Sequence, residues 1–150
     1  MIKCKFSVFD SKHNTGEYSK LSQDLIKYVN QLSDYLNDMY GYTEIIITSG
    51  YREKDNSSQH REGKAFDIMC LNDKIRLIDF YLAAERFPFT GIGVYPDWKA
   101  RDKVYGGIHV DVRSLEDNKG ARWFGVRNML TGKNDYLGLT SDNLRKYGII

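Results

Sequence analysis

Hydrophobic spacing divides this chain into readable elements. Leu21, Leu25, Val29, Leu32, Leu36 and Met39 recur every three or four positions. That spacing predicts a helix over about 20–40 with these six side chains on one inward stripe. Gly41 follows as its stop signal. Residues 43–48 (TEIIIT) are β-branched and apolar, which predicts a buried strand ending at the turn Ser49-Gly50. Residues 65–69 (AFDIM), 91–95 (GIGVY) and 108–112 (IHVDV) predict three more strands. Asn72-Asp73 is placed to cap a helix running to about Arg86, with Ile75, Ile78, Tyr81 and Leu82 inward. Polar stretches at 11–19, 50–64 and 96–107 read as loops. Past Trp123 the pattern weakens until Thr140 or Ser141 caps a last short helix through Lys146. The sum is α+β: a mostly antiparallel sheet with helices packed on one side.

Polar residues interrupt two of these strands. Asp67 lies inside AFDIM, and His109 and Asp111 lie inside IHVDV. A carboxylate in a central strand is costly unless paired or coordinated. Alternation sends Phe66, Ile68, Ile108, Val110 and Val112 to the core, and Asp67, His109 and Asp111 to the opposite face. His109 and Asp111 are then about 7 Å apart along one strand. His60 arrives from the loop just before AFDIM, so two imidazoles and one carboxylate can converge. Catalytic zinc sites use three such ligands and keep a fourth position open. Calcium or magnesium would want more oxygen ligands. Iron with two histidines and a carboxylate is the rival metal.

Composition narrows the function classes. The chain has 150 residues, 41% apolar and 28% charged, which suits one globular domain over 1–150. Net charge is +2 with basic residues scattered among acids, which gives nucleic-acid binding little support. No segment approaches the roughly 20 apolar residues of a membrane span. The N-terminus MIKCKFSVFD lacks a secretory leader, so the expectation is synthesis in the cytoplasm and delivery to any outside target by another route. Two cysteines, Cys4 and Cys70, make no disulfide framework; Cys70 follows an apolar run and reads as a buried thiol. His13, alone in a polar loop, reads as a surface residue.

The segment ITSGYREKDNSSQHREGKAFDI resembles the signature of the LAS-type zinc peptidases, the D-alanyl-D-alanine carboxypeptidase and endopeptidase family with its hedgehog-like relatives. The matching residues are Ser49-Gly50-Tyr51-Arg52, then Ser58, His60, Gly63, Ala65 and Asp67, then His109 and Asp111. GIGVYP at 91–96 and ARW at 121–123 resemble the branch that trims bacterial cell walls. The likeness spans about 43–123 and leaves 124–150 as a C-terminal extension without a role. It implies a hedgehog/DD-peptidase-like domain holding one Zn²⁺ per chain on His60, Asp67 and His109. It implies hydrolysis of peptide bonds in peptidoglycan stem peptides containing D-amino acids. Arg52 becomes the cation that stabilises the developing oxyanion or binds a substrate carboxylate, which suits a guanidinium.

One family feature is missing. Members carry an acid three residues before the second zinc histidine, or a histidine two residues before it; here those positions are Gly106 and Gly107. Asp111 is the nearest acid and is expected in the site, either activating the water or orienting His109. Asp97 and Asp102 are the other candidates for the base. Both lie in the excursion DWKARDKVYGG, which is longer than in the family and is expected to form a lid or wall with Trp98 and Tyr105 as contact residues. A small chain of this kind fits a phage endolysin delivered by a holin, a phage tail or lysis, or a wall-remodelling enzyme. The competing function is a non-catalytic, metal-stabilised module that binds wall peptides or a partner protein. A glycan-cleaving enzyme is disfavoured, since no pair of acids stands out.

Overall fold

The computed structural model describes residues 5–6 by their backbone and residues 20–54, 58–116 and 120–150. The loop at 11–19, His13 and Cys4 lie outside the described residues. The elements in chain order are β1 (Lys5–Phe6), α1 (Gln23–Tyr40), β2 (Ile45–Ser49), α2 (Ser58–Arg61), β3 (Ala65–Cys70), α3 (Leu77–Ala84) and β4 (Gly91–Tyr95). They continue with β5 (Lys99–Ala100), β6 (Lys103–Val104), β7 (Gly107–Asp111), β8 (Arg122–Arg127), β9 (Asn134–Leu137) and α4 (Ser141–Lys146). Seven strands form one sheet in the order β1-β2-β3-β7-β4-β8-β9. The pairs β1–β2 and β4–β8 are parallel and the other four are antiparallel.

Strand alternation gives this sheet two different faces. Ile45, Ile47, Phe66, Ile68, Ile92, Val94, Ile108, Val110, Phe124 and Val126 join one core with Leu25, Val29, Leu32 and Leu36 of α1, Phe80, Ala83 and Ala84 of α3, and Leu144 of α4. α1, α3 and α4 therefore cover one face, as the sequence pattern predicts, while the single turn α2, inside the 50–64 stretch read as a loop, carries His60 to the other face. The side chain of Ser22 caps α1 by accepting from the Leu25 amide at 3.4 Å, and Gly41 ends it with φ at +79°.

Several expectations need correction. Met39 is 59% exposed: it sits in the final turn beside exposed Tyr40 and Tyr42, where the stripe has run past the core. The second helix starts later, at Leu77, because Asn72 folds a local turn instead, its side chain accepting from the Lys74 amide at 2.9 Å. Leu82 faces solvent, since at about 100° per residue it falls some 200° round the helix from buried Phe80. The 96–107 excursion is no plain loop: β5 and β6 pair as a hairpin whose turn residues Arg101 and Asp102 have φ of 50° and 62°. The guanidinium of Arg101 forks onto Glu44 at 2.6 and 2.9 Å, and Lys103 pairs with Asp73, so the hairpin is tied to the body. The weak pattern after Trp123 hides two strands, β8 and β9. Among the described residues, no helix is long and apolar enough to cross a membrane.

Cys70 is a buried free thiol on β3, and burial pushes its pKa up to about 12. Thiolate is the reactive form. Alkylation of Cys70 at pH 8, followed by peptide mass spectrometry, is expected to be roughly 100-fold slower in the native protein than in denaturant. Equal rates would contradict this placement.

Candidate metal centre

The sheet register builds the site row by row. Asp67 on β3 lies opposite His109 on β7, His109 opposite Gly93 on β4, and Gly93 opposite Trp123 on β8. Their neighbours along each strand point into the core, so this row belongs to the other face. His60 is brought over the row by the single turn α2. Three backbone contacts fix that turn: the Arg52 amide donates to the His60 carbonyl at 3.2 Å, the Gly63 amide donates to the same carbonyl at 3.2 Å, and the Ser22 amide donates to the Gly63 carbonyl at 2.8 Å. Gly63 has φ at +69°, and a Cβ there would run into the Lys20 carbonyl, so this turn requires glycine. A register shift between Ile47 and Ser49 bends the end of β2, and the Thr48 hydroxyl donates to the Asp67 carbonyl at 3.2 Å.

Proton placement follows from these partners. His60 Nδ1 lies 2.9 Å from the Gly50 carbonyl oxygen, which can only accept, so Nδ1 carries the hydrogen. His109 Nε2 lies 2.8 Å from Asp111 Oδ2. Burial works against ionisation of Asp111, but the His109 and Arg113 hydrogen bonds win and hold its carboxyl well below the usual range. Asp111 therefore accepts, and His109 Nε2 carries the hydrogen. That leaves His60 Nε2 and His109 Nδ1 as the ring atoms facing Asp67 Oδ1, at 3.4 and 3.1 Å. Burial raises the pKa of Asp67, and imidazole N–H groups donating to its carboxylate more than reverse that, so a cation seated here takes the place of those protons. Burial lowers the pKa of His109, but the carboxylates of Asp111 and Asp67 at its two nitrogens raise it overall.

Three electron-rich atoms so arranged repel one another unless a proton or a cation sits among them. A proton bridges one pair; a tetrahedral cation serves all three. One donor atom from each of His60, Asp67 and His109 lies within 4.8 Å of the others, so the residues present fit a metal ion. His60 and His109 are nearly buried, and their rings meet edge to face at 5.0 Å.

A cleft of about 570 Å³ opens from this triad. Arg52, Arg113 and Ala121 line it toward one end of the strands, Tyr95 and Trp98 toward the other, and Asn134 and Tyr136 on β9 line its far side. Missing side chains shape its floor. A Cβ on Gly93 would strike the Trp123 indole, one on Gly107 the Trp98 ring, and one on Gly125 the Tyr95 ring. Each glycine is thus overlain by a neighbour's aromatic ring. Trp98 stacks on Tyr95 at 4.4 Å and 11° between planes, and Trp123 Nε1 donates to the Tyr95 hydroxyl at 2.8 Å.

The sequence-predicted residues fall into three groups. His60, Asp67 and His109 converge, and Arg52 lines the cleft beside them. Asp111 is fully buried beneath His109, and the Arg113 guanidinium forks onto it with Nε at 2.9 Å from Oδ1. Asp97 instead accepts from the Arg127 amide at 2.7 Å, Asp102 sits at the hairpin tip, and neither is among the described residues lining the cleft. Of the excursion's two aromatics, Trp98 reaches the cleft and Tyr105 does not line it. The Ser58 side chain lies outside the described residues. Sequence reasoning gave no site role to Tyr95, Arg113, Asn134 or Tyr136. The glycine alternation of GIGVY was the available signal, since a strand with no side chains on one face leaves room for something large. No family model matches the chain, and no curated protein does either.

If Asp111 orients His109, Asp111→Asn is expected to weaken zinc affinity by about 10- to 100-fold, measured by competition with a chromophoric chelator. Replacing both His60 and His109 by alanine is expected to abolish stoichiometric zinc. Full occupancy in that double variant, by elemental analysis, would refute the site.

Proposed function

We propose that the chain is a zinc-dependent peptidase acting on peptide bonds in peptidoglycan stem peptides. The observation that carries this is the convergence of two imidazole lone pairs and one carboxylate on the floor of an open cleft, with a guanidinium on the wall beside them. His60 Nε2, Asp67 and His109 Nδ1 would hold the ion. Zinc bound there would supply Lewis acidity toward a carbonyl and lower the pKa of a water molecule.

The chain's own residues do the rest. The Gly50 carbonyl and Asp111 fix the two tautomers, so neither imidazole has to reorganise on binding. Arg52 supplies a fixed positive charge where negative charge develops on the attacked carbonyl oxygen. Trp123, packed at 5.1 Å from the His109 ring, would exclude water from one side of the reacting bond. Asp111, enclosed and already engaged by His109 and Arg113, acts as a positioning residue through His109. The resemblance in 43–123 supplies the substrate class, D-amino-acid-containing stem peptides. On this reading the protein works at the bacterial cell wall after delivery there.

One observation favours a second reading, a metal-stabilised module that binds wall peptides without cutting them. Among the described residues lining the cleft, Asp67 is the only carboxylate and the ligands are the only histidines. The space above Gly107 is filled by the Trp98 ring. Release of soluble fragments from purified peptidoglycan, with and without chelator, separates the two. Chelator-sensitive release that zinc restores is expected. Binding without release would favour the module. Arg52→Lys is expected to lower turnover by about 100-fold or more at unchanged zinc content. Unchanged turnover would remove Arg52 from the mechanism.

A further inference from the structure

The cleft extends well beyond the metal triad, and its far part has a different chemistry. From β7 it crosses β4 and β8 and reaches Asn134 and Tyr136 on β9, the last strand of the sheet. Three strand spacings make that about 14 Å, more than a scissile bond and its two flanking residues occupy across the strands. Tyr136 pairs with Gly125, over which the Tyr95 ring lies, so Tyr95 and Tyr136 are neighbours on this face. Trp98 continues the stack on Tyr95. Tyr136 is 65% exposed and Asn134 is exposed, so among the described residues a large ring stands here with no protein layer above it.

Apart from the two phenols, no ionisable side chain lines this end among the described residues; Arg52 and Arg113 stand at the other end of the strands. The exposed Tyr136 ring, edged by its phenol hydroxyl and the Asn134 carboxamide and without charge, suits a neutral ligand that is apolar on its faces and hydroxylated at its rim. A pyranose sugar has that shape. An extended peptide adding to the outer edge of β9 would run along the strand. The cleft instead runs across the strands toward the metal.

We propose that the exposed Tyr136 ring and Asn134, backed by the Tyr95–Trp98 stack, form a saccharide subsite that holds an N-acetylated sugar of the glycan strand while the attached stem peptide reaches the metal centre. This rests on the peptidoglycan reading above and adds that the glycan is part of what the cleft recognises.

Two substrates test it on the zinc-loaded full chain: an N-acetylated stem peptide, and the same peptide joined to N-acetylmuramic acid. The wild type is expected to show a kcat/KM at least roughly tenfold higher on the sugar-bearing substrate, with the gain mainly in KM. In Tyr136→Ala the ratio of the two is expected to fall toward one, while Tyr42→Ala, a change at an exposed ring far along the chain, keeps it. A ratio near one in the wild type overturns the subsite. Saturation-transfer NMR with N,N′-diacetylchitobiose gives a reading that needs no turnover. Transfer to the sugar that Tyr136→Ala removes supports the subsite even if neither substrate is cleaved, an outcome that would sink only the peptidase reading. Absence of transfer, or transfer that survives Tyr136→Ala, overturns it.

Discussion

Everything at this site depends on where two protons are kept. The Gly50 carbonyl holds the hydrogen of His60, and buried Asp111 holds that of His109, so each ring turns its other nitrogen to the same Asp67 oxygen. Much of the surrounding architecture serves that condition. The bend at the end of β2 carries Gly50 under His60. The left-handed turn at Gly63 returns the chain from α2 to β3 in the right register. The antiparallel pairing of β3 with β7 puts Asp67 and His109 side by side. Displacing any one of these leaves an imidazole free to choose its other tautomer.

The cost of that arrangement is borne by the same sheet. Asp111 has no exposure, and an unpartnered carboxylate there would be strongly destabilising. It is met by an imidazole N–H, the Arg113 backbone amide at 3.1 Å and the Arg113 side chain. Arg113 in turn lies over the Trp123 ring, with 5.3 Å from guanidinium carbon to ring centroid. The apolar face, closed by α1, α3 and α4, supplies the rigidity that lets the opposite face carry so many unlike groups.

Alternation in AFDIM and IHVDV was enough to put Phe66, Ile68, Ile108 and Val110 inward and Asp67, His109 and Asp111 outward, because a period of two survives in short strands. The convergence of His60, Asp67 and His109 was legible for that reason, with His60 added by its nearness in sequence. The far side of the cleft was not. Asn134 and Tyr136 lie on a strand whose residues are mostly exposed, so NDYL shows no apolar period, and their nearness to His109 depends on the parallel pairing of β8 with β4 across almost thirty residues. The hairpin in the excursion was hidden because Arg101 and Asp102 adopt positive φ without a glycine to announce it. Met39 and Leu82 were misplaced because periodicity says which side of a helix is apolar but not where the core ends.

The rings that overlie Gly93, Gly107 and Gly125 make three interlocked pairs, each joining a position with no side chain to one with a very large side chain. Trp98 with Gly107 ties the hairpin excursion to β7, and Trp123 with Gly93 and Tyr95 with Gly125 tie β8 to β4. Neither member of a pair can change size alone without a clash or a hole. Such positions accept substitution in concert, so the cleft is able to evolve only by paired steps. Descendants of this sequence should inherit each glycine and its ring as a unit.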